Sequence, residues 1–139
     1  MSKIFIDTNI LLYALDRNDP KKQKYCKKAL QDIIKKDTPG VISTQILQEF
    51  YVAATRKMGV EPILAKRILQ SFDNFEVILV DTHLIKEAID CSILNQISFW
   101  DALIVICAQS AKCDKIWTED LNHGQVIHGI QIENILKNI

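Results

Sequence analysis

Short runs of β-branched and aromatic residues alternate with helix-length segments along this whole chain, and that alternation restricts its fold more than any other feature. Lys3-Ile4-Phe5-Ile6-Asp7 reads as a buried strand, and Val41-Ile42-Ser43, Glu76 to Val80, Lys115-Ile116-Trp117 and the neighbourhood of Gln131-Ile132 read as further strands. Between them the spacing predicts helices over Ile10 to Leu15, from Pro20 to the break at Thr38-Pro39-Gly40, and over Thr44 to Met58, Glu61 to Phe72, Thr82 to Asn95 and Phe99 to Ala111. Asp19-Pro20 starts the second helix with proline at its first position, and its apolar face is expected to be Tyr25, Ala29, Leu30, Ile33 and Ile34. Alternation with short connections predicts an α/β fold with a parallel sheet covered on both faces. A chain of 139 residues without linker, repeat or low-complexity stretch is expected to be a single domain, residues 1–139.

In such sheets ligands bind outside the carboxyl ends of the strands. Four acids meet apolar sequence in places that this topology sends to that edge: Asp7, Glu49, Asp101 and Asp120. Asp7 and Asp120 follow predicted strands. Glu49 lies in the first half of the helix leaving the second strand. Asp101 opens a helix that is apolar almost all round, Ala102 to Ala108, and is therefore expected to be buried. Each acid also has a plainer explanation. Asp7, Thr8 or Asn9 could cap the following helix, Ser98 and Asp101 resemble a capping box, Glu49 sits at a helix edge, and Asp120 could be a solvated loop residue beside Glu119. Ionised carboxylates next to buried elements nevertheless cost stability unless something compensates them. For all four gathered together, the compensator with matching chemistry is a hard divalent cation held by oxygen ligands, which points to a metal-dependent enzyme acting on phosphodiesters.

Other chemistries find no footing. Cys26, Cys91, Cys107 and Cys113 include no Cys-x-x-Cys pair and fall in or at the ends of predicted helices, as buried free thiols do. There is no Gly-rich phosphate loop and no Gly-x-Ser-x-Gly elbow. No apolar run is long enough for a membrane span, and the amino terminus has no signal core, so a cytoplasmic location without membrane association is expected. Lysines and arginines balance aspartates and glutamates at 17 each, but the distribution is uneven. Residues 1–70 carry 13 basic against 7 acidic side chains, and residues 71–139 carry 4 against 10. The basic excess centres on the second helix, where Lys24, Lys27 and Lys28 are candidate contacts for RNA phosphates or simply a solvated face.

Four segments, Phe5-Ile6-Asp7-Thr8-Asn9, Ser43-Thr44-Gln45-Ile46-Leu47-Gln48-Glu49-Phe50, Ile97-Ser98-Phe99-Trp100-Asp101-Ala102-Leu103-Ile104 and Trp117-Thr118-Glu119-Asp120-Leu121-Asn122-His123-Gly124, together resemble the PIN-domain nucleases, and most closely their VapC-like toxins. The resemblance spans essentially the whole chain. It implies an α/β/α sandwich around a parallel sheet and a Mg²⁺- or Mn²⁺-dependent endoribonuclease of a type II toxin–antitoxin pair. It further implies Asp7, Glu49, Asp101 and Asp120 as the acidic set, Asp7 and Asp101 as the main metal ligands, and Thr8, Asn9, Thr118 and Glu119 as supporting polar residues. Glu119 competes with Asp120 for the fourth acidic position. RNA as substrate, an antitoxin protein as partner and a homodimer belong to the same set of expectations. Two other classes stay open from the residues: a non-catalytic RNA- or partner-binding module of the same fold, and a phosphoacceptor receiver-like domain with Asp81 as the nearest acceptor.

Overall fold

A computed structural model describes residues 2–137 and residue 139. In chain order the elements are β1 (Ile4–Ile6), α1 (Thr8–Tyr13), α2 (Pro20–Lys35), β2 (Gly40–Ser43), α3 (Thr44–Arg56), α4 (Pro62–Gln70), β3 (Glu76–Ile78), α5 (Thr82–Asn95), α6 (Phe99–Ser110), β4 (Lys115–Trp117), β5 (Val126–Ile127) and β6 (Ile130–Glu133). A short 3₁₀ turn, Ser71–Asn74, links α4 to β3. The local signals that start these elements are physical and simple. The Asp19 carboxylate accepts the Lys22 N–H behind Pro20, Asp81 accepts from Leu84, and the Ser98 hydroxyl accepts from Asp101, each filling an orphan donor at a helix start.

The strands form one sheet in the order β3-β2-β1-β4-β6-β5. All the pairs formed by β1, β2, β3, β4 and β6 are parallel, as expected, and the short β5 adds one antiparallel pair at the edge of β6. The exception is a tight hairpin. His128 and Gly129 both have positive φ, at 51° and 79°, which is the backbone a two-residue turn of matching twist requires. The β5 strand is too short to show an alternating pattern and was not expected from sequence.

The strand order also decides between two readings of the acids. From β1 the chain steps outward to β2 and β3, then returns past β1 to place β4 on its other side. Right-handed crossovers therefore put α1 to α4 on one face and α5 and α6 on the other. Consistently, α1 packs on α2 and α3, α3 packs on α4, and α5 packs on α6. A receiver-like domain needs its third strand beside the first. Here β3 is an edge strand, and Asp81 after it is an exposed helix cap, so that alternative is set aside.

One continuous core fills the space between the layers. Phe5, Ile6, Val41, Ile42 and Ile116 from the sheet are fully buried, as are Ile46 and Phe50 of α3. Helix α6 is buried from Ala102 through Ala108, as its all-round apolar sequence requires. Gly40 has no room for a side chain, because a Cβ there would lie 2.7 Å from the Phe75 ring. The apolar face of α2 differs from expectation. Cys26 and Ile33 are buried with Ala29 and Leu30 packed beside them, whereas Tyr25 and Ile34 are exposed. The helix is rotated so that the small thiol, rather than the large phenol, meets the core. All four cysteines are buried free thiols.

Candidate active site

The reversal in strand order creates a crevice between the carboxyl ends of β1 and β4. Asp7 is the first residue beyond β1 and is only 4 % exposed. Its Oδ1 accepts the Thr8 N–H at 2.7 Å and its Oδ2 accepts the Thr118 hydroxyl at 2.7 Å. The capping role and the pocket role thus coexist in one side chain. Thr118, the first residue beyond β4, is itself buried and also accepts the Asp120 N–H at 3.1 Å. On the other side the Thr8 hydroxyl donates to Glu49 Oε1 at 3.1 Å, tying the start of α1 to α3.

The four acids share one electrostatic environment. Burial pushes Asp7 up to about 7, against the two hydrogen bonds that favour its charge, and the nearby Asp120 and Glu49 push it further. Burial also raises Glu49, opposed by the Thr8 hydroxyl and the neighbouring Gln45 amide and assisted by Asp120 and Asp101. Asp101 is raised in the same way, by burial first and by Asp120 last. Among the described residues none of these four acids forms an ion pair. Asp120, rather than Glu119, faces the other three. Glu119 turns outward to accept from the Tyr13 hydroxyl at 2.6 Å and from Asn9 Nδ2 at 3.3 Å. Asn9 and Glu119 therefore bond to each other beside the site rather than to the acids.

These residues line a cleft of about 750 Å³, whose walls are Asp7, Thr8, Gln45, Glu49, Trp100 and Asp120 with the Arg56 and Lys57 end of α3. Asp101 stands half-buried just beyond that lining. Three features of the cleft were not anticipated. Gln45 is 6 % exposed, and its amide lies close enough to Glu49 to favour the carboxylate's charge although neither Nε2 nor Oε1 makes a hydrogen bond of good geometry. Trp100 is 61 % exposed although it adjoins buried helix. Arg56 and Lys57 bring positive charge two turns along α3 from Glu49, about 10 Å at the helical rise. None of Lys24, Lys27 and Lys28 lines this cleft; they stand exposed on α2. Helical spacing from Glu49 to Arg56 was the available signal for the cation. Nothing in the sequence marked the glutamine.

The donor set suits a hard cation: every candidate ligand is a carboxylate oxygen, and the acids carry no competing cationic partner. Among the described residues, however, no three His, Cys, Asp or Glu side chains close around a common point. The acids form an open set, with Asp7 fixed by two bonds and Glu49 exposed at the rim.

Fold and cleft together define a doubly wound α/β protein with an acidic switch-point site. Comparison with known families gives that class a name: the PIN domain model matches residues 4–128, and the chain belongs to the PIN domain family. Among solved structures, VapC20 of Mycobacterium tuberculosis, a sarcin-ricin loop cleaving toxin, superposes with a TM-score of 0.70 at 16% identity, over 92% of this chain and 98% of its own. A toxin–antitoxin complex from Klebsiella pneumoniae gives 0.68 at 20% identity, over 91% and 94% of the two chains. VapBC from Salmonella typhimurium, bound to DNA, gives 0.67 at 21% identity over 96% and 98%. Among curated proteins, none matches this sequence. No single helix among the described residues is long and apolar enough to cross a membrane.

Proposed function

We propose that the protein is a metal-dependent endoribonuclease and the toxin of a toxin–antitoxin pair. The observation that carries this reading is the gathering of Asp7, Glu49, Asp101 and Asp120, without a cationic partner, at the switch point of a PIN domain. Stability alone gives no reason for such a cluster, since burial and neighbouring carboxylates raise Asp7, Glu49 and Asp101. Asp7, Asp101, Glu49 and Asp120 would hold Mg²⁺ or Mn²⁺, which when bound supplies charge to the scissile phosphate and acidity to a water. The chain's own residues prepare for this. Thr118 and the Thr8 N–H fix Asp7 in one orientation, and the Thr8 hydroxyl restrains Glu49. Arg56 and Lys57 neutralise flanking phosphates along α3. The similarity to toxins crystallised with their antitoxins supports an antitoxin partner. The exposed Ile85, Ile89 and Ile93, at four-residue spacing on α5, support a homodimer.

Purified protein should cleave cellular RNA in Mg²⁺ or Mn²⁺ and stop in EDTA. Undiminished cleavage in EDTA would remove the metal from the mechanism. A folded, metal-supplied protein that leaves all RNA intact would return it to the class of non-catalytic binding modules. Sequencing the 5′ ends created after brief induction would then name the target.

A further inference from the structure

We propose that Tyr13 is a positioning residue of the acidic site, a role that rests on the metal-dependent ribonuclease reading above. Its hydroxyl holds Glu119 on the outer side of the bend after β4, and this keeps the next residue, Asp120, aimed at the other three acids. The four acids differ in how they are held. Asp7 receives two hydrogen bonds on its carboxylate, from the Thr8 N–H and the Thr118 hydroxyl. Glu49 receives one from the Thr8 hydroxyl, and the Ser98 hydroxyl stands beside Asp101 and favours its charge. Among the described residues nothing donates to the Asp120 carboxylate; only its N–H is held, by the Thr118 hydroxyl at 3.1 Å. Asp120 is also exposed, so no packing chooses its rotamer. Its direction is therefore set by the backbone that carries it.

That backbone is anchored before and after the bend. The Thr118 N–H donates to the Glu133 carbonyl at 3.2 Å, and the Gly124 N–H donates to the Ile132 carbonyl at 2.8 Å. Between these anchors residues 119–121 bend away from the strand. The side chain of Glu119 ties the bend to α1. Tyr13, the last residue of α1, donates to its Oε1 at 2.6 Å, and Asn9, one turn earlier, donates to the same oxygen at 3.3 Å. A hydroxyl that close to a carboxylate makes one of the stronger hydrogen bonds a protein forms. The phenol ring is itself steadied, packed against the core with Lys22 Nζ 4.5 Å from its centroid. Glu119 and Asp120 are consecutive, yet Asp120 lines the cleft and Glu119 does not. Release of Glu119 frees the bend to rotate, which carries Asp120 away from Asp7 and lets Glu119 swing inward. Tyr13 is outside the cleft lining, so it acts through Glu119 and not by touching metal or RNA.

The test measures Mn²⁺ binding to the full-length protein without RNA, through the electron paramagnetic resonance signal of the free ion, beside RNA cleavage and thermal melts. Tyr13→Phe keeps the ring over which Lys22 lies and removes the hydroxyl alone. It should weaken Mn²⁺ binding roughly ten-fold, as loss of a group that orients metal ligands does. The Mn²⁺ needed for half-maximal cleavage should rise by the same factor, with KM for RNA unchanged at saturating metal. Glu119→Ala should match Tyr13→Phe, and the double variant should be no worse than either, because all three remove the same bond. Glu119→Gln still offers a carbonyl oxygen to Tyr13 and Asn9, so it should bind Mn²⁺ as the parent does. If Glu119 instead held the metal itself, Glu119→Gln would be as damaging as Glu119→Ala and Tyr13→Phe would be harmless, and that result would overturn the proposal. Parental Mn²⁺ affinity in Tyr13→Phe, whatever its melting temperature, would also overturn it and leave the bond a tie between α1 and the bend. A parent that binds Mn²⁺ and leaves RNA intact would overturn the ribonuclease reading alone, with the affinities still deciding the role of Tyr13. A parent that binds no Mn²⁺ would overturn both.

Discussion

The two ends of the same sheet treat charge in opposite ways. At the amino end, Lys3 before β1 meets Glu76 at the start of β3 at 2.8 Å. At the carboxyl end, Asp7, Glu49, Asp101 and Asp120 share one environment and none is paired with a cation. The Lys3–Glu76 pair is partly exposed, and such a pair contributes about 0–1 kcal/mol. Burial, and then the neighbouring carboxylates, push Asp7, Glu49 and Asp101 toward protonation. A sheet that finds partners for its charges at one end and gathers like charges at the other is organised at the second end around something other than stability.

The sharpest way to break that contrast is to remove one acid from each end. Asp7→Asn or Asp101→Asn should abolish RNA cleavage with the fold retained. Glu76→Gln, at the opposite end, should leave cleavage within about two-fold and cost at most about 1 kcal/mol of stability. Initial rates on a fixed RNA, with far-ultraviolet circular dichroism as the fold check, measure both. Wild-type rates in either acidic-site variant would remove that residue from the proposed site.

A second prediction uses the pH dependence of stability without metal. The Asp7 carboxyl titrates near 7 in the folded chain and near 3.8 when unfolded. The folded state therefore holds the extra proton between those values, and stability falls as pH rises through that window. Asp7→Asn cannot lose that proton. In EDTA its melting temperature should match wild type near pH 4 and exceed it by several degrees at pH 8. A wild-type melting temperature that rises steadily from pH 5 to pH 8, with the variant following in parallel, would contradict the buried, repelled Asp7.

Much of this contrast was legible in the sequence, for physical reasons that also explain what was not. Asp7 and Asp120 could be placed because strand ends and parallel topology fix an edge, and the burial of α6 followed from its lack of a polar face. The β5–β6 hairpin was missed because its turn is His128-Gly129, and β5 has only two residues. Glu119 and Asp120 could not be separated, because the choice depends on Tyr13 and Asn9 of α1 drawing Glu119 aside. Gln45 became conspicuous only once its bonds could be sought and found missing. The lysines of α2 drew notice by their density, whereas the two cations lining the cleft come from an ordinary helix end.

That last difference gives the smallest and most discriminating effect. Arg56 and Lys57 line the cleft and form no ion pair among the described residues, so their charge is free for a phosphate. Lys24, Lys27 and Lys28 stand exposed on α2, outside the cleft lining. Each phosphate contact to a single strand contributes roughly 0.7 to the slope of log affinity against log salt. Changing Arg56 and Lys57 together to Gln should therefore reduce that slope by about 1.4 for single-stranded RNA bound to the inert Asp7→Asn protein. Changing Lys24, Lys27 and Lys28 together to Gln should reduce it by less, although it removes more charge. Neither set touches an acid, so turnover of saturating RNA by the active protein should barely change in the α2 variant. If the α2 variant loses more slope than the α3 pair, the RNA runs over α2 and the density of lysines was the better guide. If neither slope moves, backbone contacts arise elsewhere and both sets are solvated surface.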